Sequence, residues 1–222
     1  MALTKVIGAG LGTVTEDQVF GGATPTVTIG DAGAEDAKIV FDGNAQDFYI
    51  GLDDSSDILA IGNGSDVGAT RAIIVDANGI IRQPQQPAFS AKAGGSQTNI
   101  AVDASVDVVL GTEIFDQNAD FASNTFTAPV TGKYSLNAHF YLGGLDSGAD
   151  YIQGQITTSN RNYVQVFSLN GFDADFLYMP MTISVVADMD TGDTAKLQLY
   201  QGGGTQQIDV DGSTYFTGYL LG

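Results

Sequence analysis

Two kinds of hydrophobic pattern run along this chain, and they change over near residue 82. In "KYSLNAHFYL", Lys133 to Leu142, Tyr134, Leu136, Ala138, Phe140 and Leu142 share one parity, while Ser135, Asn137 and His139 share the other. Strict alternation of this kind predicts a strand with one buried face. Comparable runs fill the rest of residues 88–222: "AFSAKA", "DVVLGTEIF", "NTFTAPV", "YIQGQITT", "YVQVFSL", "LYMPMTISVV", "AKLQLYQ" and "TYFTGYLLG". Clusters of Gly, Asp, Asn and Ser separate them, as turns separate strands. About eight to ten strands and no helical pattern predict an all-β sandwich or jelly roll.

Before residue 82 the pattern is shorter and repetitive. Written in register, "VTIGDAGAED", "KIVFDGNAQD", "FYIGLDDSSD", "ILAIGNGSDVG" and "AIIVDANG" each open on β-branched or aromatic residues and close on Gly, Asp or Asn. Each unit reads as a short strand and a tight turn. Such strands offer little more than one apolar face per unit and cannot close a core alone. The expectation is a β-rich shaft over residues 27–81 that stacks against copies of itself.

"RQPQQP", residues 82–87, joins the two regions. Its prolines and glutamines suit an extended linker and stop both helix and central strand. Residues 1–26 are then an amino-terminal arm, and 88–222 a head domain. At the far end "STYFTGYLLG" departs from one-faced alternation: Phe216, Gly218 and Leu220 lie on one face, Tyr215, Tyr219 and Leu221 on the other. A second apolar face asks for a partner, and a neighbouring subunit is the economical one. Tyr215, Tyr219 and Leu221, with Phe89, are the expected subunit-contact residues.

Composition and charge narrow the function classes. The 26 acidic against 8 basic residues give a formal net charge of −18, spread along the chain. Such a surface repels phosphates and anionic headgroups, so neither nucleic acid nor membrane insertion is expected. No Cys is present, which excludes disulfides and thiolate catalysis. No run approaches the roughly 20 apolar residues of a membrane span, and "MALTKVIGAGLGTV" lacks the h-region of a signal peptide.

Several segments carry a more specific signature. "PAFSA" at Pro87 to Ala91, "IFD" at Ile114 to Asp116, "TFTAPVTGKYSL" at Thr125 to Leu136, "GDTAKLQL" at Gly192 to Leu199 and "FTGYLL" at Phe216 to Leu221 occur in that order. Residues 87–222 thereby resemble the globular head of the complement-q family, a jelly roll of the tumour-necrosis-factor type. The resemblance implies a homotrimer. The glycine-rich loops "LGGLDSGAD" and "YQGGGTQQ" depart from vertebrate members, and no collagen tract precedes the head. The preceding strand-turn units, such as "FDGNAQDFYIGLDDSSDILAIG", resemble modules of tailed-bacteriophage fibres. Together these imply a short trimeric fibre or spike on the virion: a capsid fibre or decoration protein, or a short tail fibre. The arm would hold a capsid or tail protein, and the head would contact a host-surface glycan or receptor. A non-viral bacterial carbohydrate-binding or scaffold protein and a polysaccharide depolymerase are the alternatives.

Candidate chemistry is sparse, and no catalytic residue is assigned. "KVIGAGLGT" has Thr13 where a dinucleotide-binding turn needs its third Gly, and no helical pattern follows. His139, the sole His, alternates onto the polar face with no nucleophile elbow beside it. Calcium is the one cofactor to test: Asp188, Asp190 and Asp193 of "DMDTGD" have D-x-D spacing, although Leu199 stands where an EF-hand's closing Glu would fall. The loop "LGGLDSGAD" offers Asp146 and Asp150 as candidate ligand contacts.

Overall fold

The computed structural model describes residues 17, 19–68 and 70–222. The arm expected over residues 1–26 therefore lies largely outside the described residues, as do the glycines of "KVIGAGLGT". All regular structure among the described residues is β apart from one short 3-10 turn, Asp54–Ser56.

The repetitive region forms one antiparallel meander. Its strands are β1 (Ala37–Phe41), β2 (Phe48–Asp53), β3 (Ile58–Asn63), β4 (Thr70–Val75) and β5 (Ile81–Arg82), paired in that order. Four of the five sequence units become β1 to β4. The first unit, Val27 to Asp36, does not become a strand: positive φ at Gly30 (100°) and Ala32 (67°) breaks the extended backbone.

The meander's two faces differ. On one, Tyr49, Ile58, Ala60 and Ile74 are buried beneath the segment after β3. There the Gly68 N–H donates to the Tyr49 hydroxyl at 3.3 Å and Arg71 pairs with Asp53. Lys38 Nζ reaches Asp66 at 3.1 Å. The other face is formed by register partners Phe41 and Phe48, Ile39 and Ile50, Ile50 and Ile61, Leu52 and Leu59, and Val75 and Ile81. These side chains are exposed, apart from half-buried Val75.

The head contains β6 (Ala88–Lys92), β7 (Ser105–Asp107), β8 (Thr112–Gln117), β9 (Phe121–Ala122), β10 (Thr125–Thr127) and β11 (Gly132–Leu145). It continues with β12 (Ala149–Thr158), β13 (Asn162–Ser168), β14 (Phe176–Met189), β15 (Thr194–Gly203), β16 (Asp209–Val210) and β17 (Tyr215–Leu220). One sheet runs β14-β11-β17-β6-β8, the other β13-β12-β15-β10-β9. The short strands β16 and β7 attach to β11 and β15. Because β10 to β11, β11 to β12, β13 to β14 and β14 to β15 all change sheets, the head is a two-sheet jelly roll, as expected. "DVVLGTEIF", expected as one strand, is split. Val108 and Leu110 turn into the core between β7 and β8, where the Leu110 N–H is held by Asn124 Oδ1 at 2.7 Å.

The core lies between these sheets. Tyr134, Leu136, Ala138, Phe140 and Leu142 all point into it, as the alternation of β11 predicts. Phe89 sits at its centre, 1 % exposed, with ring centroids 5.1 Å from Phe121, 4.7 Å from Phe126 and 5.0 Å from Phe216. Each such pair adds about 0.5–1.5 kcal/mol beyond its buried area. The Pro129-Val130-Thr131-Gly132 corner carries the chain from one sheet to the other. Phe126 and Ala128 before it and Tyr134 and Leu136 after it are all buried. The Tyr134 hydroxyl closes the corner by donating to the Val130 carbonyl at 2.7 Å.

The segment expected as an extended linker is tied to the head. Gln86 Nε2 donates to the Leu220 carbonyl at 2.9 Å, and the Leu220 N–H to the Pro87 carbonyl at 3.0 Å. Gln117 Nε2 donates to Gln83 O and Asn118 Nδ2 to Gln85 O, at 3.1 and 3.0 Å. Its glutamines and carbonyls thus find partners on β8 and β17.

Candidate contact surfaces and ligand loops

The outer faces of the two head sheets are built differently. On the β13-β12-β15-β10-β9 sheet, Lys196 Nζ and Gln198 Nε2 donate to the Asp107 carboxylate at 2.8 and 2.7 Å. Thr157 Oγ1 donates to Gln198 Oε1 at 2.9 Å. Burial would raise the Asp107 pKa, but the Lys196 and Gln198 hydrogen bonds hold it below the usual value. Across β7, β15 and β12 this face is a hydrogen-bonded polar network suited to water, flanked by the stacked Tyr151 and Tyr200 rings at 5.7 Å; on β13 it gives way to exposed Val164 and Val166.

The outer face of the β14-β11-β17-β6-β8 sheet is richer in aromatic surface. Register places Tyr219 beside Ser135 and Ala88, and Tyr215 beside His139 and Lys92. Val186 and Thr182 continue these rows on β14. Tyr219 is 48 % exposed, and Tyr215 and Leu221 are exposed as well. Tyr141 and Tyr178 stack at 5.3 Å where β11 meets β14, and Phe115 is exposed on β8. His139 Nδ1 lies 3.3 Å from Thr182 Oγ1, a hydrogen bond within the sheet. Of the four expected contact residues, three lie at this surface. Phe89 does not: β6 pairs it with Gly218 and points it inward, so the core removes it from any contact between folded subunits.

A second apolar surface lies at the sheet edge. Strand β13 is terminal in its sheet and exposes Val164, Val166 and Phe167. Phe167, Phe172 and Phe176 follow one another at centroid distances of 6.0 and 5.1 Å, and Leu177 beyond them is 77 % exposed. Sequence reasoning missed this edge, together with Phe115 and Tyr178. Alternation within β13 names its two faces, whereas edge position depends on pairing across the whole sheet.

The two loop aspartates differ. Asp146, 6 % exposed, accepts from the Gln206, Thr205 and Gly148 backbone N–H groups at 2.9, 2.7 and 2.7 Å. These bonds, Gln206 first, hold its carboxyl below the ordinary carboxylate range. Both oxygens are engaged inside the protein, so Asp146 offers none to a ligand. Asp150 is exposed and receives Asn170 Nδ2 at 3.3 Å, anchoring the turn after β13.

The calcium candidates do not converge either. Asp188 pairs with Arg161 at 2.9 Å. Asp193 accepts from the Asp190 N–H and from Asn160 Nδ2, both at 2.8 Å, and Asp190 faces Thr131. Among the described residues no group of three or more His, Cys, Asp or Glu is arranged to hold a metal ion. Asp120 stands apart: its Oδ2 is buried with no hydrogen-bond partner, and burial, then the neighbouring Asp116 carboxylate, raises its pKa.

No protein-family model and no curated protein matches the chain. Among solved structures it is similar to the globular domain of zebrafish complement 1qA protein, at 19% identity and a TM-score of 0.44, covering 62% of this chain and 98% of that one. It is also similar to murine APRIL, in crystal structures at pH 8.0 and 8.5. Each has 10% identity and a TM-score of 0.45, covering 61% of this chain and 99% of that one.

Proposed function

We propose that the protein is a homotrimeric structural component of a tailed-phage virion, a short spike whose jelly-roll head is displayed for adhesion to a host-surface glycan or receptor. The observation that carries the trimer is the head's two separate apolar surfaces, the aromatic sheet face around Tyr219 and the β13 edge around Phe172 and Leu177. One self-complementary patch makes a twofold dimer, whereas two different patches docking head-to-tail make a ring where the rotation between neighbours closes, and a filament where it does not. A three-membered ring is the smallest in which every chain uses both patches on different neighbours. The strand-turn repeat, the absence of Cys and the acidic surface support the virion assignment. The head would act by binding: Asp146 and Asp193 are engaged in holding loops, while Asp150 keeps an exposed carboxylate.

Capsid and tail attachment predict different copy numbers, so a reconstruction of the parent particle gives site and stoichiometry together. Light scattering of the isolated full chain at micromolar concentration tests the trimer. A monomeric mass would sink it, and a chain missing from purified particles would end the virion reading.

A further inference from the structure

The bare face of the β1–β5 meander is a surface without its partner. Eight of its side chains, from Ile50 at 37 % to Ile81 at 65 %, are exposed. With roughly 200 Å² for a phenyl side chain and roughly 120 Å² for Ile or Leu, about 550 Å² of apolar surface per chain is open to water. That is about two-thirds of one partner's share of a standard-sized stable interface, and stands at the top of the range for the largest apolar patch of an ordinary monomer. The charged residues of these strands, Lys38, Asp53, Arg71 and Arg82, belong to the covered side or its margin, as the Arg71–Asp53 pair and the Arg82–Ile74 register indicate. Nothing on the bare face matches a charged ligand.

We propose that this face packs against the same face of two further copies of the chain, making a three-sided β prism with a dry axis. Chemistry favours a second copy over a foreign protein: the patch is apolar across its middle, with uncharged Asn63 and Thr70 beside Phe48 at one end, and offers few of the polar groups that would confer specificity on a different partner. A shallow depression of about 220 Å³ lined by Ile39, Ile50, Leu52, Leu59 and, from the segment before β1, Ile29 has the size and chemistry to receive a branched apolar side chain of the kind the face itself presents. Chain continuity sets the stoichiometry. Residues 83–87 are hydrogen-bonded to the head immediately after β5, so there is little slack for a meander to pair with chains other than its own head's neighbours. The threefold count rests on the trimer proposed above. Burial of the face against copies of itself does not.

The chain has no Cys, which permits a direct test. Ile50→Cys and, separately, Leu52→Cys are made in the full-length protein and treated with a short bis-maleimide. Asp66→Cys, on the covered side, is the control. In a threefold bundle one cross-link joins two chains and strands the third, so adduct formation stops at about two-thirds of the chains. In a twofold sandwich it runs to completion. A two-thirds plateau from either face position, with no adduct from the control, is the expected result. Complete cross-linking would retain the buried face but overturn the threefold count. No adduct from either face position would overturn the proposal, while light scattering reports independently on the trimer. In a second arm, Ile50→Asp/Ile61→Asp should expose residues 37–82 to protease at least tenfold faster while the head resists. Unchanged protection of the meander would also overturn it.

Discussion

Gly218 lies where β17 passes beneath the central aromatic cluster, and replacing it with Ala tests the packing that separates inward from outward side chains. A Cβ there would stand 2.6 Å from Phe89 Cε1 and 2.7 Å from Leu136 Cδ2. Both neighbours are buried, and Phe89 is already stacked on Phe121 and Phe126. The ring has no free direction in which to retreat. Overpacking of this kind costs about 1–3 kcal/mol. For a chain of this size each kcal/mol lowers the melting temperature by about 2–4 °C, so a drop of about 2–12 °C is expected. Calorimetry at fixed protein concentration measures it, since an oligomer's Tm varies with concentration. Phe89→Leu alone leaves a cavity and costs about 1–3 kcal/mol. In the double variant the shorter side chain vacates the space that the new Cβ needs. The cycle should therefore show a favourable coupling of at least about 0.5 kcal/mol. A neutral Gly218→Ala, or two costs that simply add, would refute the argument that this contact is what Gly218 accommodates.

Asp146→Asn swaps an acceptor oxygen for an amide that cannot receive the same N–H groups, and should cost about 1–3 kcal/mol, with faster amide exchange at Thr205 and Gln206. Because the folded-state pKa of Asp146 is depressed, its stabilisation is full above the unfolded value of about 3.9 and disappears as pH falls through the folded value. Wild type and variant should therefore converge in acid. Asp120 runs the other way. Its folded pKa is raised, so Asp120→Asn should raise the melting temperature at neutral pH, with the gain fading below the carboxylate range. Calcium should leave the melting temperature unchanged, since Asp188 and Asp193 already have protein partners; a rise that grows with calcium concentration would restore the discarded site. Added salt should tighten self-association, read from the concentration dependence of sedimentation, whereas weakening would show that ion pairs hold the copies together.

What was legible in the sequence was local. The alternation in "KYSLNAHFYL" located β11, and the doubly apolar "TYFTGYLLG" located the outward tyrosines of β17. Phe89 shows where locality fails. Its parity groups it with Ala91 and Ala93, but only pairing with β17, which sets Phe89 opposite Gly218, establishes that this parity faces inward. Asp146 fails for a related reason: the N–H donors at Thr205 and Gln206 are 59 and 60 residues away. An aspartate in a glycine-rich loop looks the same whether it is clamped or free. In the repetitive region four strands were readable from β-branched runs, but the first was not, because the positive φ values at Gly30 and Ala32 belong to a turn that the composition of "TIGDAG" does not distinguish from a strand end. The bare face was foreseen only as a shortage of core. Its continuity across five strands required the register.

The distribution of charge connects these surfaces. At −18 per chain, three copies carry −54, and like charges brought into contact repel by about 4 kcal/mol at 4 Å in a partly shielded setting. Association on that scale is tolerable only if the contacting surfaces exclude the acids. The β11 and β17 rows meet this condition with Ser135, Asn137, His139, Tyr215, Thr217 and Tyr219, and their neighbours include Lys92. The meander's bare face meets it with aliphatic and phenyl groups and, at one end, the uncharged Asn63 and Thr70. Many of the aspartates lie instead in turns, where several cap or clamp a backbone segment, as Asp53 does for Ser56 and Asp76 for Asn78 and Ile80. These turn aspartates lie at strand ends, and salt screens repulsion beyond about 8–10 Å. In the proposed trimer, the same acidic surface that discourages binding to nucleic acid would confine self-association to the neutral faces, and so favour one assembly without requiring a salt bridge across it.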